Sequence, residues 1–104
     1  MGVTKMKRVA RKKAAGTSLK GYLKVSYAKL VKTFGKPLKG DGDKVDAQWV
    51  LQARDGTIAT IYNYKDGKAY LGREGLPVSK ITEWHIGGRT HRAEAYVRAA
   101  LGVE

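Results

Sequence analysis

Residues 46–64 read DAQWVLQARDGTIATIYNY, two alternating runs separated by Asp55-Gly56. In the first run Ala47, Trp49 and Leu51 recur at every second position, which places them on one side of an extended strand. The second run, Thr57 to Tyr64, sets Ile58, Thr60, Tyr62 and Tyr64 on one face and Ala59, Ile61 and Asn63 on the other. Asp-Gly suits a two-residue reversal because such a turn needs positive φ, which glycine adopts freely. The stretch therefore predicts a β-hairpin.

Toward the N-terminus, KPLKGDGDK is a charged, glycine-rich loop. Before it, Tyr27, Leu30, Val31 and Phe34 fall at helical spacing, with Ser26 as N-cap and Gly35 and Pro37 as the stop. Further back, Thr17 to Val25 alternates as a first strand, with Leu19, Leu23 and Val25 expected on one face. Beyond the hairpin, Asp66-Gly67 marks a turn, and residues 68–79 read as a loop or a poor edge strand interrupted by Gly72, Gly75 and Pro77. Ile81 to Ile86 is the last strand. Thr90 is positioned to cap a final helix whose stripe is Ala93, Tyr96, Val97, Ala100 and Leu101, ended by Gly102. No internal repeat is visible. The order predicts an α+β domain over residues 16–104, an antiparallel sheet of four or so strands with two helices packed on one face. The other face, rich in aromatics, favours a homo-oligomer or a bound partner.

The chain has 104 residues and a formal net charge of +12. Half of that excess lies in residues 1–13, where Lys5, Lys7, Arg8, Arg11, Lys12 and Lys13 face no acid. Residues 1–15 accordingly read as a disordered basic arm, either a solubilising tail or a segment that tracks nucleic-acid phosphates. With no cysteine, a disulfide frame and a thiolate metal site are excluded. No apolar run approaches the roughly 20 residues that span a bilayer, so a soluble protein with no membrane partner is expected.

The segment ITEWHIGGRTHR, residues 81–92, carries the main binding signal. A Gly87-Gly88 turn into a helix would present free backbone amides to a phosphate or carboxylate, flanked by Trp84, His85, Arg89, His91 and Arg92. The plainer reading is a tight strand-to-helix reversal. The pattern is neither GxGxxG nor a P-loop. In the run Ile61 to Lys65, Tyr62 and Tyr64 share one face and can stack on a base, while Asn63 can read a base edge. Packing of these aromatics beneath a helix is the alternative.

Catalytic chemistry is not indicated. His85 and His91 lack a third and fourth metal ligand nearby in sequence. No serine sits in a nucleophile elbow, and Glu83 with His85 is read as a surface ion pair. The expectation is a binding protein without cofactor or metal.

The block from Gly16 to Leu101 resembles a group of small proteins widespread in bacteriophage genomes, through GTSLKGYL, SYAKLVKTFGKP, WVLQARDGTIATIYNYK and TEWHIGG followed by a short helix. The group is similar to phage sponge proteins that bind cyclic nucleotide signals and blunt CBASS-type or Thoeris-type immunity. That resemblance implies a homo-oligomer in the cytoplasm of an infected bacterial host that sequesters a nucleotide-type ligand without cleaving it. Tyr62, Asn63, Trp84, His85, Gly87, Gly88 and Arg89 are then the positions expected near the ligand. The basic arm departs from the compact pattern. It keeps open a nucleic-acid-binding role through Lys5, Lys7, Arg8, Arg11, Lys12 and Lys13, beside a third role as protein–protein inhibitor of a host defence factor through the open sheet face.

Overall fold

The computed structural model describes residues 5–103, which form an antiparallel sheet with helices. Six strands contribute: β1 (Met6–Arg8), β2 (Ser18–Lys24), β3 (Leu38–Lys39), β4 (Ala47–Ala53), β5 (Ile58–Tyr62) and β6 (Glu83–Gly88). Their order is β1-β4-β5-β6-β2, and β3 pairs with β4 off this path. The expected four strands become six because β1 and β3 span only three and two residues, too short to show alternation. The helices are α1 (Tyr27–Phe34), α2 (Lys68–Leu71) and α3 (Arg92–Leu101).

The expected alternation of β4 and β5 holds. Ala47, Trp49, Leu51, Ala59 and Ile61 point to one face and join Leu23, Trp84 and Ile86 in the core. Leu30 and Phe34 of α1, with Ala93, Val97 and Leu101 of α3, cover that face. Each such large side chain contributes about 1.5–3 kcal/mol on full burial. Ser26 caps α1, its hydroxyl accepting from Lys29 N at 3.1 Å. Two indoles then fasten the helix at both ends. Trp84 Nε1 donates to Val25 O at 3.0 Å, just ahead of α1, and Trp49 Nε1 donates to Gly35 O at 2.8 Å, just after it. The rings meet edge to face with centroids 5.4 Å apart.

Local geometry departs from the sequence expectation at four places. The β4–β5 connection is a three-residue loop, Arg54-Asp55-Gly56, closed by Gly56 N to Ala53 O and Ala53 N to Thr57 O, with Gly56 at φ 93°. A bulge in β2 falls between Leu19 and Gly21, so Leu19 pairs with Gly87 and turns to the face opposite Leu23, where it is exposed. Residues 68–80, expected as a loop or a poor edge strand over 68–79, form α2 and two 3-10 turns.

The fourth departure is the largest. Residues 5–15 are not a free arm. Met6 pairs with Ala53 and packs into the core as part of β1, at one edge of the sheet. The chain then crosses the sheet to β2 at the opposite edge, passing through a 3-10 turn at Arg11–Ala14 that lies against β4 and β5. This crossing segment, residues 9–17, straps the face that the helices leave uncovered. Charge alone hid it, because its cations are exposed or donate to carbonyl oxygens while its backbone and Met6 do the packing. Residues 1–4 of the expected arm lie outside the described residues.

Candidate functional site

On the strap side, β4, β5 and β6 present Gln48, Val50, Ile58, Thr60, Tyr62, His85 and Gly87, the alternation partners of the core residues. The strap buries part of this face: Val50, Ile58 and Thr60 are almost inaccessible. Two arginines help to hold it down. Arg11 donates to Gln48 Oε1 at 3.2 Å and to Lys39 O at 2.7 Å. Arg89 donates to Ala15 O at 2.9 Å and Lys13 O at 3.1 Å.

Beside the strap lies an open hollow of about 240 Å³. Thr60, Tyr62, Gln48 and Gly87 line it from the sheet, Thr17 and Ser18 from the end of the strap, and Asp41 and Val45 from the loop before β4. Asp41 Oδ1 accepts from the backbone amides of Asp43, Lys44 and Val45 at 2.8, 2.9 and 3.0 Å. Those bonds hold its carboxyl below the usual range. Gly87 makes room for the Thr60 hydroxyl on the floor of the hollow. A Cβ there would lie 2.4 Å from Thr60 Oγ1 and 3.5 Å from the Tyr62 ring.

Tyr62 continues the hollow into an aromatic shelf. His85 stands in its middle, with ring centroids 5.0 Å from Tyr22, 5.4 Å from Tyr62 and 5.5 Å from Tyr64. Burial lowers the His85 pKa, partly opposed by the nearby Asp66 carboxylate, and raises that of the Tyr62 phenol. Tyr22 and Tyr64 are 62% and 41% exposed, so the shelf offers ring surface to a partner. Lys65 Nζ sits between the Tyr64 and Tyr70 rings, 5.2 and 5.3 Å from their centroids.

The residues singled out from sequence separate into two groups. Tyr62, His85 and Gly87 come together on the strap side. Trp84 is 1% exposed in the core. Asn63 is wholly buried and fully engaged. Its Oδ1 accepts from Asp46 N and Ala47 N, and its Nδ2 donates to Asp46 Oδ1 and Asp66 Oδ1, all within 2.8–3.1 Å. Neither side chain is presented to a ligand.

Gly87 and Gly88 form no turn. Both lie inside β6 and pair with β2 on one side and β5 on the other. The anion pocket expected from a glycine turn is therefore replaced by ladder pairing. Gly88 is required by close approach, since a Cβ there would fall 2.4 Å from Ala93 Cβ of α3. The start of α3 also differs. His91 occupies the N-cap position without a side-chain cap bond, one residue later than Thr90. Asp55 of the hairpin loop lies along this helix, accepting from Tyr96 Oη at 2.7 Å and from Arg92 at 3.5 Å. The Tyr96 and Thr57 hydrogen bonds bring the Asp55 pKa down to about 2.

Of the basic residues, Arg8 donates to Lys36 O and Arg11 and Arg89 hold the strap, while Lys5, Lys7, Lys12 and Lys13 are exposed. Glu83 and His85 share the strap-side face with no hydrogen bond or ion pair between them among the described residues. Among those residues no group of three or more His, Cys, Asp or Glu side chains converges, and no helix is long and apolar enough to cross a membrane.

Sequence reasoning did not single out Asp41, Gln48, Thr17 or Ser18. These polar residues belong to three separate segments, and only the crossing of the strap brings them together. Thr60 was placed on the correct face, with nothing to mark it as the floor of a hollow. No protein-family model matches the chain, and comparison with curated proteins finds no match.

Proposed function

We propose that this chain is a small non-enzymatic binding protein that holds a nucleotide-type ligand on the strap side of its sheet. Sequestration of a cyclic nucleotide signal, as in the phage sponge proteins that the sequence resembles, is the corresponding biological role. The observation that carries the reading is the juxtaposition of a polar hollow of about 240 Å³ with a shelf of three tyrosines around His85. A base can stack on an aromatic ring for about 1–3 kcal/mol while polar groups beside it select its edge. Calorimetry with mononucleotides and cyclic di- and trinucleotides tests this. We expect micromolar binding to at least one, weakened roughly tenfold in Tyr62→Ala, for a loss of one stacking contact. Recovery of the ligand intact after prolonged incubation is expected; a cleaved product would overturn the non-enzymatic assignment, and no binding across the panel would overturn the whole reading.

A second reading, single-stranded nucleic acid, is favoured by the exposed Tyr22 and Tyr64 rings together with the net charge of +12. Removing residues 1–13 would take Met6 out of the core. The double variant Lys12→Ala/Lys13→Ala keeps the strap backbone. On this reading it lowers the salt slope for oligonucleotide binding by about 1.4, from two lost phosphate contacts.

A further inference from the structure

The hollow differs in charge from the rest of the molecule. In a chain of net charge +12, its lining contains no lysine or arginine and one carboxylate, Asp41. A phosphate would meet a negative charge there, so the part of a nucleotide suited to the hollow is the base. Resting on the nucleotide reading above, we infer that the hollow selects a guanine base, with Asp41 accepting hydrogen bonds from its N1–H and exocyclic amino group.

Three observations carry this. Asp41 Oδ1 is engaged by all three loop amides, while Oδ2 takes part in none of those bonds, so the carboxylate is fixed in place by one oxygen and retains acceptor capacity on the other. Thr60 is 2% exposed, and its hydroxyl makes no hydrogen bond among the described residues although it lines the hollow. That oxygen opens onto the hollow rather than being sealed from solvent, so it is a free donor from which a ligand carbonyl such as O6 can accept. Gly87, with no Cβ, makes room for the Thr60 hydroxyl beside the Tyr62 ring, on which a base plane can lie.

The chemistry of the bases then decides among them. A carboxylate is acceptor-only and needs neighbouring donors. Guanine places N1–H beside its amino group. Adenine and cytosine place an unprotonated ring nitrogen beside theirs, and that lone pair would face the carboxylate. Uracil sets its one N–H between two carbonyls.

The test compares guanosine, inosine and adenosine 5′-monophosphates by calorimetry on the unaltered protein. Inosine monophosphate retains N1–H and lacks the amino group, so it isolates the second bond. The guanine nucleotide should bind about tenfold or more tightly than either, as expected for a site whose hydrogen bonds are left unmade by the analogue. In Asp41→Asn, which keeps a carbonyl oxygen for the loop amides, the preference should fall to about threefold or less. Equal binding of all three nucleotides, or a preference that persists in Asp41→Asn, would overturn the guanine assignment alone. Failure of all three, and of the cyclic nucleotides, would overturn the nucleotide reading with it. Because the nucleotide comparison is made on the native chain, the outcome does not depend on the variant folding.

Discussion

The helix side and the strap side of the sheet are made by the same central strands, yet they are built on different principles. On the helix side, alternate residues of β4, β5 and β6 are apolar, meet α1 and α3, and are closed to solvent. On the strap side the intervening residues mix Val50 and Ile58, both buried, with Gln48, Thr60, Tyr62 and His85. The strap that covers them is fastened by Arg89 donating to its carbonyls and by its own Arg11 donating to Lys39 O. One face is sealed by side-chain volume. The other is partly covered by a backbone that leaves the hollow and the shelf uncovered. On the reading proposed above, stability is concentrated on the first face and recognition on the second.

If that division is correct, substitutions on the two faces should separate in size and kind. The largest effect is expected from Trp84→Ala, which removes the indole that meets Trp49 and anchors Val25 O. A loss of about 3–5 kcal/mol in urea unfolding is expected. Asn63→Ala comes next. It strands two backbone amides and removes the donor shared by Asp46 and Asp66, so a loss of about 3 kcal/mol is expected by the same measurement. A small loss at either position would place less of the stability on the helix side than we assign to it.

Arg89→Ala should cost only about 1 kcal/mol, since the guanidinium is exposed. Its signature is local: amide hydrogen exchange should quicken in residues 9–17 while the core amides of β4 and β5 keep their protection. If protection is lost throughout, strap and core are one cooperative unit. The smallest effect concerns pH. The folded pKa of His85 lies below its ordinary value of 6.5, mainly because of burial, so the unfolded chain binds the proton more readily. Stability should therefore be fully present above about pH 6.5 and decline as pH falls toward the folded pKa, then level off. His85→Gln should flatten that step; an unchanged profile would assign the titration to another group.

The hairpin was legible because its determinants are local: alternation in β4 and β5 placed Trp49, Leu51, Ala59 and Ile61 on the core side, and glycine in the loop marked the reversal. The α1 cap at Ser26 and the α3 stop at Gly102 were legible for the same reason. Gly87-Gly88 was misread because adjacent glycines signal a turn only when nothing else demands their small size. Here Thr60 on one side and Ala93 on the other demand it. Leu19 was assigned to the core face because a bulge leaves no mark on an alternating pattern. The strap was invisible for a more general reason. Its partners lie far away in the chain, and the hollow exists only where the strap, the loop at Asp41 and β5 meet.

The path of the strap also sets an order of events during synthesis. β1 leaves the ribosome before any other strand, but its partner β4 begins only at Ala47. β2 waits longer still, since its pairing is with β6, and β6 is not complete until Gly88. Arg89, which fixes the strap, bonds across 76 residues to Lys13. Until β4 and β6 follow, residues 5–24 lack their strand partners, and their positive charge keeps them apart from other copies of the same segment. Contacts of such long range slow the final closure relative to the hairpin, so the β4–β5 unit should form first and the strap should lock last.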